Sequence, residues 1–361
     1  MPMNILIVSL DLTRDGGIEI YTKQIFMSLH KNKNTSIKLV YPYKLYKGLL
    51  GKYLGRIKFL LKLFFLLFRS DKVLVMHSNL LKPIFLLSYI TRYFNSFQTY
   101  CFIYGIEVWG TSFNKVSHYL SRCNKLIACS NFTAEKIKSR LPNLTNLPVL
   151  NPTSNLFNKF EPISPIPWDI VLLTVARIDK NENYKGHRLI IKALQLLLQD
   201  NIMPANLKWN IVGVGDGKSE IETLVVETKL EKYINFLGKL DRNQLKNQFQ
   251  QSSVLVMPSS YSIRSDGTAT GEGFGIAYLE AALAGRPSIG CKEGGQQDII
   301  KDGITGWLID SDPYQLSSLI FTLSQSKGLI ETTGKQANLF ALGNFDEETF
   351  ASKLKKVINL S

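Results

Sequence analysis

The sequence has few of the residues that build disulfide frameworks and metal centres. Its 361 residues include only four cysteines and four histidines. The cysteines, Cys101, Cys123, Cys129 and Cys291, form no C-x-x-C pair and show no metal-ligand spacing. This pattern argues against a disulfide-stapled secreted domain and against a zinc ribbon. We therefore expect free thiols in a reducing cytosol.

Long hydrophobic runs are also missing. The apolar run in "MPMNILIVSLD" ends before Asp11, which is typical of a buried parallel strand and not of a signal peptide. The run from Phe59 to Phe68 is interrupted by Lys62 and is shorter than the roughly 20 apolar residues that a bilayer requires. Neither run predicts secretion or a membrane span.

Acidic residues are nearly absent from the first part of the chain. Between Ile20 and Ala134 there are 17 Lys and Arg but only two acids, Asp71 and Glu107, so this segment accounts for the net charge of +14. The stretch 44–70 carries seven Lys or Arg, no acid and many apolar residues. This composition favours a helix lying on an anionic membrane surface, with a core helix that has a solvated basic edge as the alternative. No groove-reading or RNA-binding motif accompanies the charge, so we do not expect nucleic acid as a partner.

Short apolar stretches alternate with helical patterns along the whole chain. The alternation predicts the α/β class with doubly wound parallel sheets. Six prolines between 141 and 168 interrupt it. We therefore predict a first Rossmann-like domain at 1–150, a linker at 151–168 and a second Rossmann-like domain at 169–343. A last helix at 344–361 is expected to pack back on the first domain.

Two glutamates mark the stretch "TATGEGFGIAYLEAALAGRPSIG". Glu272 precedes a predicted helix, and Glu280 lies in its second turn. Eight helical residues span about 12 Å, which resembles the distance from a hexose to a ribose across a diphosphate. Gly273 and Gly275 would leave backbone N–H groups free at the start of the helix, where anions bind. The spacing alone leaves open that both glutamates are ordinary surface charges.

Two cations are predicted at the same edge of the second sheet. In "TVARIDKNENYKGH", Arg177 ends a strand and Lys185 precedes a helix. Two cations there would stabilise a leaving diphosphate. The pair Gly16-Gly17 after the first strand, and the run "VGVGDG" at 212–217, are turns that a phosphate or nucleotide can approach closely, although each signal is weak by itself.

Together these motifs resemble those of a large enzyme family. The chain is similar to retaining glycosyltransferases of the GT-B superfamily, in family 4, which includes sucrose synthases and bacterial mannosyl- and glucosyltransferases. The resemblance covers nearly the whole chain. Its motifs are "GGIEIYTKQIFMSL", "YGIEVWG", "CNKLIACSNFTAEKI", "VARIDKNENYKGH", "NIVGVGDG", "EGFGIAYLEAALAGRPSIG" and "GGQQDIIKDGITGWLID". It implies two Rossmann-like domains that face an interdomain cleft.

The resemblance also implies roles for individual residues. Glu272 would contact the hydroxyls of the donor sugar, Arg177 and Lys185 would stabilise the leaving diphosphate, and Glu280 would bind the ribose. The other expected donor-binding residues are Gly16, Gly17, Gly215, Leu237, Gly238, Gly273, Phe274 and Gly275. Residues expected on the acceptor or donor-sugar side are Tyr104, Gly105, Glu107 and His77. No metal site and no cofactor are expected.

The implied function is transfer of a hexose from a UDP- or GDP-sugar to a lipid-linked or polysaccharide acceptor. The protein would work in the cytoplasm, at the inner face of the cell membrane. One departure affects this interpretation, because Tyr104 stands where the family usually has a histidine that contacts the donor sugar. A catalytically silent nucleotide-sugar-binding subunit is therefore an alternative, and so is a nucleotide-sugar epimerase or a phosphorylase on the same fold.

Overall fold

The computed structural model describes residues 2–12, 16–31, 34–42, 49–142, 144, 146–157, 159 and 161–360. The chain forms two compact units. Unit 1 comprises Met1–Thr153, Ile263–Ala269 and Glu347–Ser361, and unit 2 comprises Ser154–Ser262 and Thr270–Asp346. No helix among the described residues has the length and apolar character needed to cross a membrane.

Unit 1 contains a five-stranded parallel sheet in the order β2-β1-β3-β4-β5. The strands are β1 (Met3–Val8), β2 (Thr35–Val40), β3 (Lys72–Val75), β4 (Gln98–Ile103) and β5 (Lys125–Ala128). The helices between them are α1 (Gly17–His30), α2 (Leu49–Leu67), α3 (Leu81–Thr91), α4 (Ile106–Trp109), α5 (Ser112–Leu120) and α6 (Asn131–Lys138). The strand order reverses between β1 and β3, as in doubly wound folds.

Unit 2 contains a six-stranded parallel sheet in the order β13-β12-β9-β6-β7-β8. The strands are β6 (Val171–Val175), β7 (Lys208–Val212), β8 (Ile234–Gly238), β9 (Val254–Val256), β12 (Ser288–Cys291) and β13 (Gly306–Ile309). A separate ribbon pairs β10 (Ser262–Ile263) with β11 (Ala269–Thr270). The helices are α7 (His187–Gln199), α8 (Lys218–Glu227), α9 (Arg242–Gln251), α10 (Ile276–Leu283), α11 (Pro313–Ser324) and α12 (Lys327–Asn344).

The predicted fold class is confirmed by these two sheets. Strands such as β1, β3 and β6 are short, mostly buried apolar runs, as parallel strands covered on both faces require. Residues at the carboxyl ends of β6, β7, β8, β9 and β12 all reach one edge of the unit 2 sheet, where open α/β sheets bind their ligands.

The last helix, α13 (Glu347–Val357), belongs to unit 1. Phe350, Leu354 and Ile358 are buried in the hydrophobic core of that unit. Two lysines from the amino ends of strands, Lys72 and Lys125, hold the end of the helix, and Lys125 donates to the Val357 carbonyl oxygen at 3.0 Å. Lys72 donates to the carbonyl oxygens of Ile358 (2.5 Å) and Asn359 (2.6 Å). Cations here complement the negative end of the helix dipole, so the end of α13 is anchored to the sheet.

We predict that Lys72→Ala lowers the free energy of unfolding by about 3 kcal/mol, because the carbonyl oxygens of Ile358 and Asn359 both lose a charged donor. Urea unfolding of the purified protein measures the change. Lys31→Ala is the matched control, since Lys31 pairs with Glu347 of the same helix on the exposed surface. That change should cost no more than about 0.5 kcal/mol. Equal effects of the two substitutions would contradict the anchoring role of Lys72.

Candidate functional site

Arg177 lies in the loop that follows β6. Its guanidinium contacts the carboxylate of Glu182 and lies 3.6 Å from that of Asp179. The arginine side chain is 61% exposed, whereas the Glu182 side chain is mostly covered. Two acids thus hold a cation that is open to an anionic ligand at the carboxyl edge of the sheet.

Lys185 and Glu272 form the central ion pair of the site, with 2.7 Å between Nζ and Oε2. Their side chains are only 15% and 14% exposed, although 87 residues separate them in the sequence. Burial is the largest single effect and would lower the pKa of Lys185, but the interactions with Glu272, Tyr184 and Glu182 together outweigh it and raise that pKa. The Lys185 Nζ also lies 5.1 Å from the centre of the Tyr184 ring. Lys185 is therefore a firmly charged group held between two neighbours.

The turn before α10 brings Glu272 to this position. Gly275 has a φ of +88°, which favours glycine, and a side chain there would collide with the Tyr278 ring. Phe274 is buried against Phe345, with 5.7 Å between the ring centres. Gly295 packs so tightly against the Gly273 carbonyl that no side chain would fit. These contacts fix the backbone on both sides of Glu272.

Glu280 lies one helical turn into α10, and its carboxylate accepts a hydrogen bond from the Ser154 hydroxyl at 3.0 Å. Burial raises the pKa of Glu280 to about 7, although Ser154 and Arg242 oppose that shift. Arg242 itself donates to Asn155 Oδ1 at 2.9 Å. Glu280 is thus a partly covered acceptor whose charge depends on pH near neutrality.

The predicted glycines of unit 2 fall into two groups. Gly215 packs against the backbone of Ile178, which explains the glycine without any ligand. Gly238, at the end of β8, has a φ of +68° and open space where a side chain would point, and Leu237 beside it is half-buried. The Leu237–Gly238 backbone therefore remains accessible to a bound group, whereas Gly215 has a packing role.

In unit 1, the structure brings Tyr104, Gly105 and Glu107 together. The Glu107 carboxylate accepts hydrogen bonds from the backbone N–H groups of Tyr104 (2.6 Å) and Gly105 (2.9 Å), so it stabilises its own turn. The Tyr104 hydroxyl is buried without a hydrogen-bond partner among the described residues. Its ring is partly buried and packs edge-to-face on Tyr21, with 5.8 Å between the ring centres, against the core of the unit. The expected contact between Tyr104 and a donor sugar stays a prediction.

The remaining predicted residues of unit 1 follow β1 and β3. His77 Nδ1 accepts from the Asn79 backbone N–H at 3.2 Å and so begins a short 3-10 turn. Gly16 precedes α1, and a side chain there would collide with Glu19. Gly17 has open space around it, as the close approach of a ligand requires. Thr13, Arg14 and Asp15, just before this turn, lie outside the described residues.

Three residues of the site were not singled out from the sequence. Ser154 is the hydrogen-bond partner of Glu280, and Gly295 supports the Glu272 turn. Gln296 is fully buried and donates to the carbonyl oxygens of Ser259, Cys291 and Glu293. The sequence signal for Gly295 was the dipeptide Gly294-Gly295 in "GGQQD". Paired glycines after a strand often mark a close approach of two backbones.

The site combines two cations, an ion-paired carboxylate and a second carboxylate with a raised pKa. Cations at the carboxyl edge of a parallel sheet suit a phosphate ligand, and carboxylates suit the hydroxyls of a sugar. No group of three or more His, Cys, Asp or Glu side chains that would hold a metal ion occurs in the part of the chain that the structure describes.

Comparisons with known proteins agree on one family. The model of the family described as "Glycosyl transferases group 1" matches residues 158–340. An uncharacterized glycosyltransferase of Methanocaldococcus jannaschii is 32% identical over 130 residues, which cover 36% of this chain and 30% of the relative. The human alpha-1,3/1,6-mannosyltransferase ALG2 is 23% identical over 256 residues, which cover 64% and 58% of the two chains. The matches thus span less than two thirds of the length of these curated relatives.

Solved structures show the same fold over almost the whole chain. HepE of Anabaena in complex with UDP has a TM-score of 0.76 and 18% identity, with coverage of 99% of this chain and 100% of that chain. Sucrose-phosphate synthase from Thermosynechococcus elongatus has a TM-score of 0.78 and 18% identity, with coverage of 99% and 98%. At this identity, the likeness establishes the fold alone.

We predict that stability of the ligand-free protein falls as the pH rises through the titration of Glu280. The folded-state pKa of about 7 lies above the ordinary glutamate pKa of 4.5, so the folded state binds more protons than the unfolded state in this range. The loss is at most about 1.4 kcal/mol per pH unit. Urea unfolding at pH 5, 6, 7 and 8 should show that Glu280→Gln flattens this slope, whereas the exposed control Glu222→Gln does not. Identical slopes in wild type and Glu280→Gln would disprove the assignment.

Proposed function

Because the chain belongs to the group 1 glycosyltransferases, we propose that it transfers a hexose from a UDP- or GDP-sugar to an acceptor in cell-surface glycan synthesis. The observation that carries this proposal is the buried Lys185–Glu272 pair, with Arg177 exposed at the same edge of the unit 2 sheet. It joins a diphosphate-binding group to a sugar-binding group within one site.

In the proposed reaction, the bond between the anomeric carbon and the donor phosphate breaks as a bond to the acceptor oxygen forms. The leaving diphosphate gains negative charge, which Arg177 and Lys185 stabilise. The acceptor proton passes to the leaving phosphate oxygen, so no side chain needs to act as a base. Glu272 accepts hydrogen bonds from the donor sugar, and Glu280 accepts them from the ribose. This front-face route retains the configuration of the sugar, in keeping with family 4, and it requires no metal ion.

Several neighbours support a nucleotide-sugar donor. HepE of Anabaena has been solved with UDP and with UDP-glucose. A putative colanic acid biosynthesis glycosyltransferase, WcaL of Escherichia coli, is 23% identical over 165 residues. These likenesses favour transfer to a glycan over the alternatives of a silent subunit or an epimerase.

An acceptor carried on a lipid is supported by the surface of α2. Among the α2 residues whose burial the structure describes, the buried ones form a narrow stripe, at Gly51, Gly55, Phe59, Leu63 and Leu67. The exposed residues are both apolar and basic, namely Tyr53, Leu54, Arg56, Ile57, Lys58, Leu60, Leu61, Lys62 and Phe65. Lys44 and Lys47 of the basic stretch lie outside the described residues. A helix with this surface suits the interface of an anionic membrane.

The neighbouring helix α3 extends this surface. Tyr93 and Phe94, just after the helix, are 88% and 76% exposed, and the Phe94 ring lies 5.6 Å from the Phe68 ring after α2. Arg122 stacks on Tyr89 of α3, with 5.6 Å to the ring centre. Neither helix contains an acid. We therefore propose that α2 and α3 together place the enzyme on the cytoplasmic membrane face, close to a lipid-linked acceptor.

We predict that the purified protein transfers sugar from a UDP- or GDP-sugar to a lipid-linked acceptor, detected as labelled product. Glu272→Ala should lower turnover by at least about 100-fold, because the donor sugar loses an acceptor that strengthens in the transition state. Glu272→Gln tests the charge while it keeps the shape, and thermal unfolding checks that each variant is folded. Glu331→Ala on α12 is the control and should leave turnover unchanged. Binding of the donor without transfer to any acceptor, or full turnover of Glu272→Ala, would overturn the proposal.

We predict that the protein sediments with vesicles containing anionic lipid and is released by high salt. Phe65→Ser and Tyr93→Ser should each weaken vesicle binding by about tenfold, the effect of losing one inserted apolar side chain. Leu339→Ser, which changes an exposed leucine of unit 2, is the matched control. Equal binding to neutral vesicles would contradict the role of charge, and unaltered binding of both variants would contradict the assigned surface.

A further inference from the structure

Two buried polar atoms beside the site have no hydrogen-bond partner among the described residues. One is Glu182 Oε2, the second oxygen of the carboxylate that holds Arg177. The other is Nε2 of His187, the first residue of α7. Leaving a buried polar atom unpaired costs about 1–3 kcal/mol, so both atoms call for an explanation.

Both side chains line the same small cavity. Its volume is about 10 Å³, and its other lining residues include Asp179, Asn183 and Gly217. A cavity of roughly 10–15 Å³ holds one water molecule, provided that two or more polar groups surround it. A metal ion fits less well, since no cluster of three or more His, Cys, Asp or Glu suitable for a metal occurs among the described residues.

The burial and the protonation state of His187 both suit a hydrogen bond to water. Its ring is buried and lies against the Trp209 ring, with 6.4 Å between the centres. Burial, and then the charge of Lys185, lower the pKa of His187 to about 4, so the ring is neutral at physiological pH. A neutral imidazole has one donor and one acceptor nitrogen, and water can pair with either.

We propose that one buried water molecule joins His187 Nε2 to Glu182 Oε2 and makes His187 a positioning residue for Arg177. The water binds Glu182 Oε2. The other oxygen of that carboxylate, Oε1, then holds the Arg177 guanidinium. Gly186, with a φ of +92°, connects His187 directly to Lys185. The water bridge therefore connects Arg177 to the start of α7, to which Lys185 is also joined.

The functional part of this inference rests on the proposed function, since it concerns the affinity of the site for a nucleoside diphosphate. Calorimetry with UDP and GDP measures that affinity without any need for an acceptor. His187→Phe keeps an aromatic ring but removes both ring nitrogens, and it should weaken binding about tenfold, the worth of one hydrogen bond to a charged group. His187→Gln can still pair with the water and should restore most of the affinity.

A double-mutant cycle separates positioning from general support. In an Arg177→Ala background, His187→Phe should cause no further loss, because its effect passes through Arg177. An equal loss in both backgrounds, or equal affinities of His187→Phe and wild type, would overturn the inference. Thermal unfolding of each variant confirms that it is folded.

A crystal structure of the wild-type protein tests directly whether the water bridge exists. Ordered density within hydrogen-bond distance of both Glu182 Oε2 and His187 Nε2 is the expected result, and a dry cavity would refute it. If wild type binds neither UDP nor GDP, the proposed function fails, while the density still decides whether the water bridge exists.

Discussion

The ion pair between Lys185 and Glu272 is the interaction on which the arrangement of the site depends. It joins the loop after β6 to the turn before α10, two segments that are distant in sequence. A largely buried pair of this kind gives little net stability, since desolvation offsets most of the attraction, but removal of either partner is costly. Its main effect is to define where the two loops meet. A ligand phosphate that binds Lys185 must therefore compete with Glu272. Once displaced, the Glu272 carboxylate is free to accept a hydrogen bond from a sugar.

Tight backbone packing surrounds this pair and explains why glycine is frequent at the edge of the sheet. Gly213 packs against the Ala176 carbonyl, Gly215 against that of Ile178, and Gly295 against that of Gly273. Two of these contacts pack the loop after β7 against the loop after β6, and the third packs the loop after β12 against the turn before α10. Glycine in such a motif therefore has two different explanations. Gly215 fits a packing role, whereas Gly238 and Gly17 have open space where a ligand can approach.

Much of the fold followed from the sequence because buried parallel strands are short apolar runs between helical patterns. The predicted positions of Glu272 before a helix and Glu280 in its second turn agree with α10. The direct contact between Lys185 and Glu272 was not predicted, because a pairing across 87 residues depends on how loops from two strands meet. The packing of the Tyr104 ring on Tyr21 was not predicted either, because one sequence does not reveal which way a residue at a strand end points. Similarly, residues 263–269 belong to unit 1 although the chain on either side belongs to unit 2.

The two units also use charge in different ways. In unit 2, the cations near the sheet edge are matched by acids: Lys185 pairs with Glu272, and Arg177 pairs with Glu182. Such pairs hold a defined geometry, and because they are partly covered, salt screens them little. In unit 1, α2 and α3 carry exposed cations on helices that contain no acid. Exposed charges of one sign act over about 10 Å and fade as salt rises. Paired charges therefore define the geometry of the site in unit 2, whereas the exposed cations of unit 1 suit a longer-range attraction to an anionic partner. The net charge of +14 does not reveal this difference between the units, because almost all of the excess positive charge lies in unit 1, the unit that we assign to the membrane.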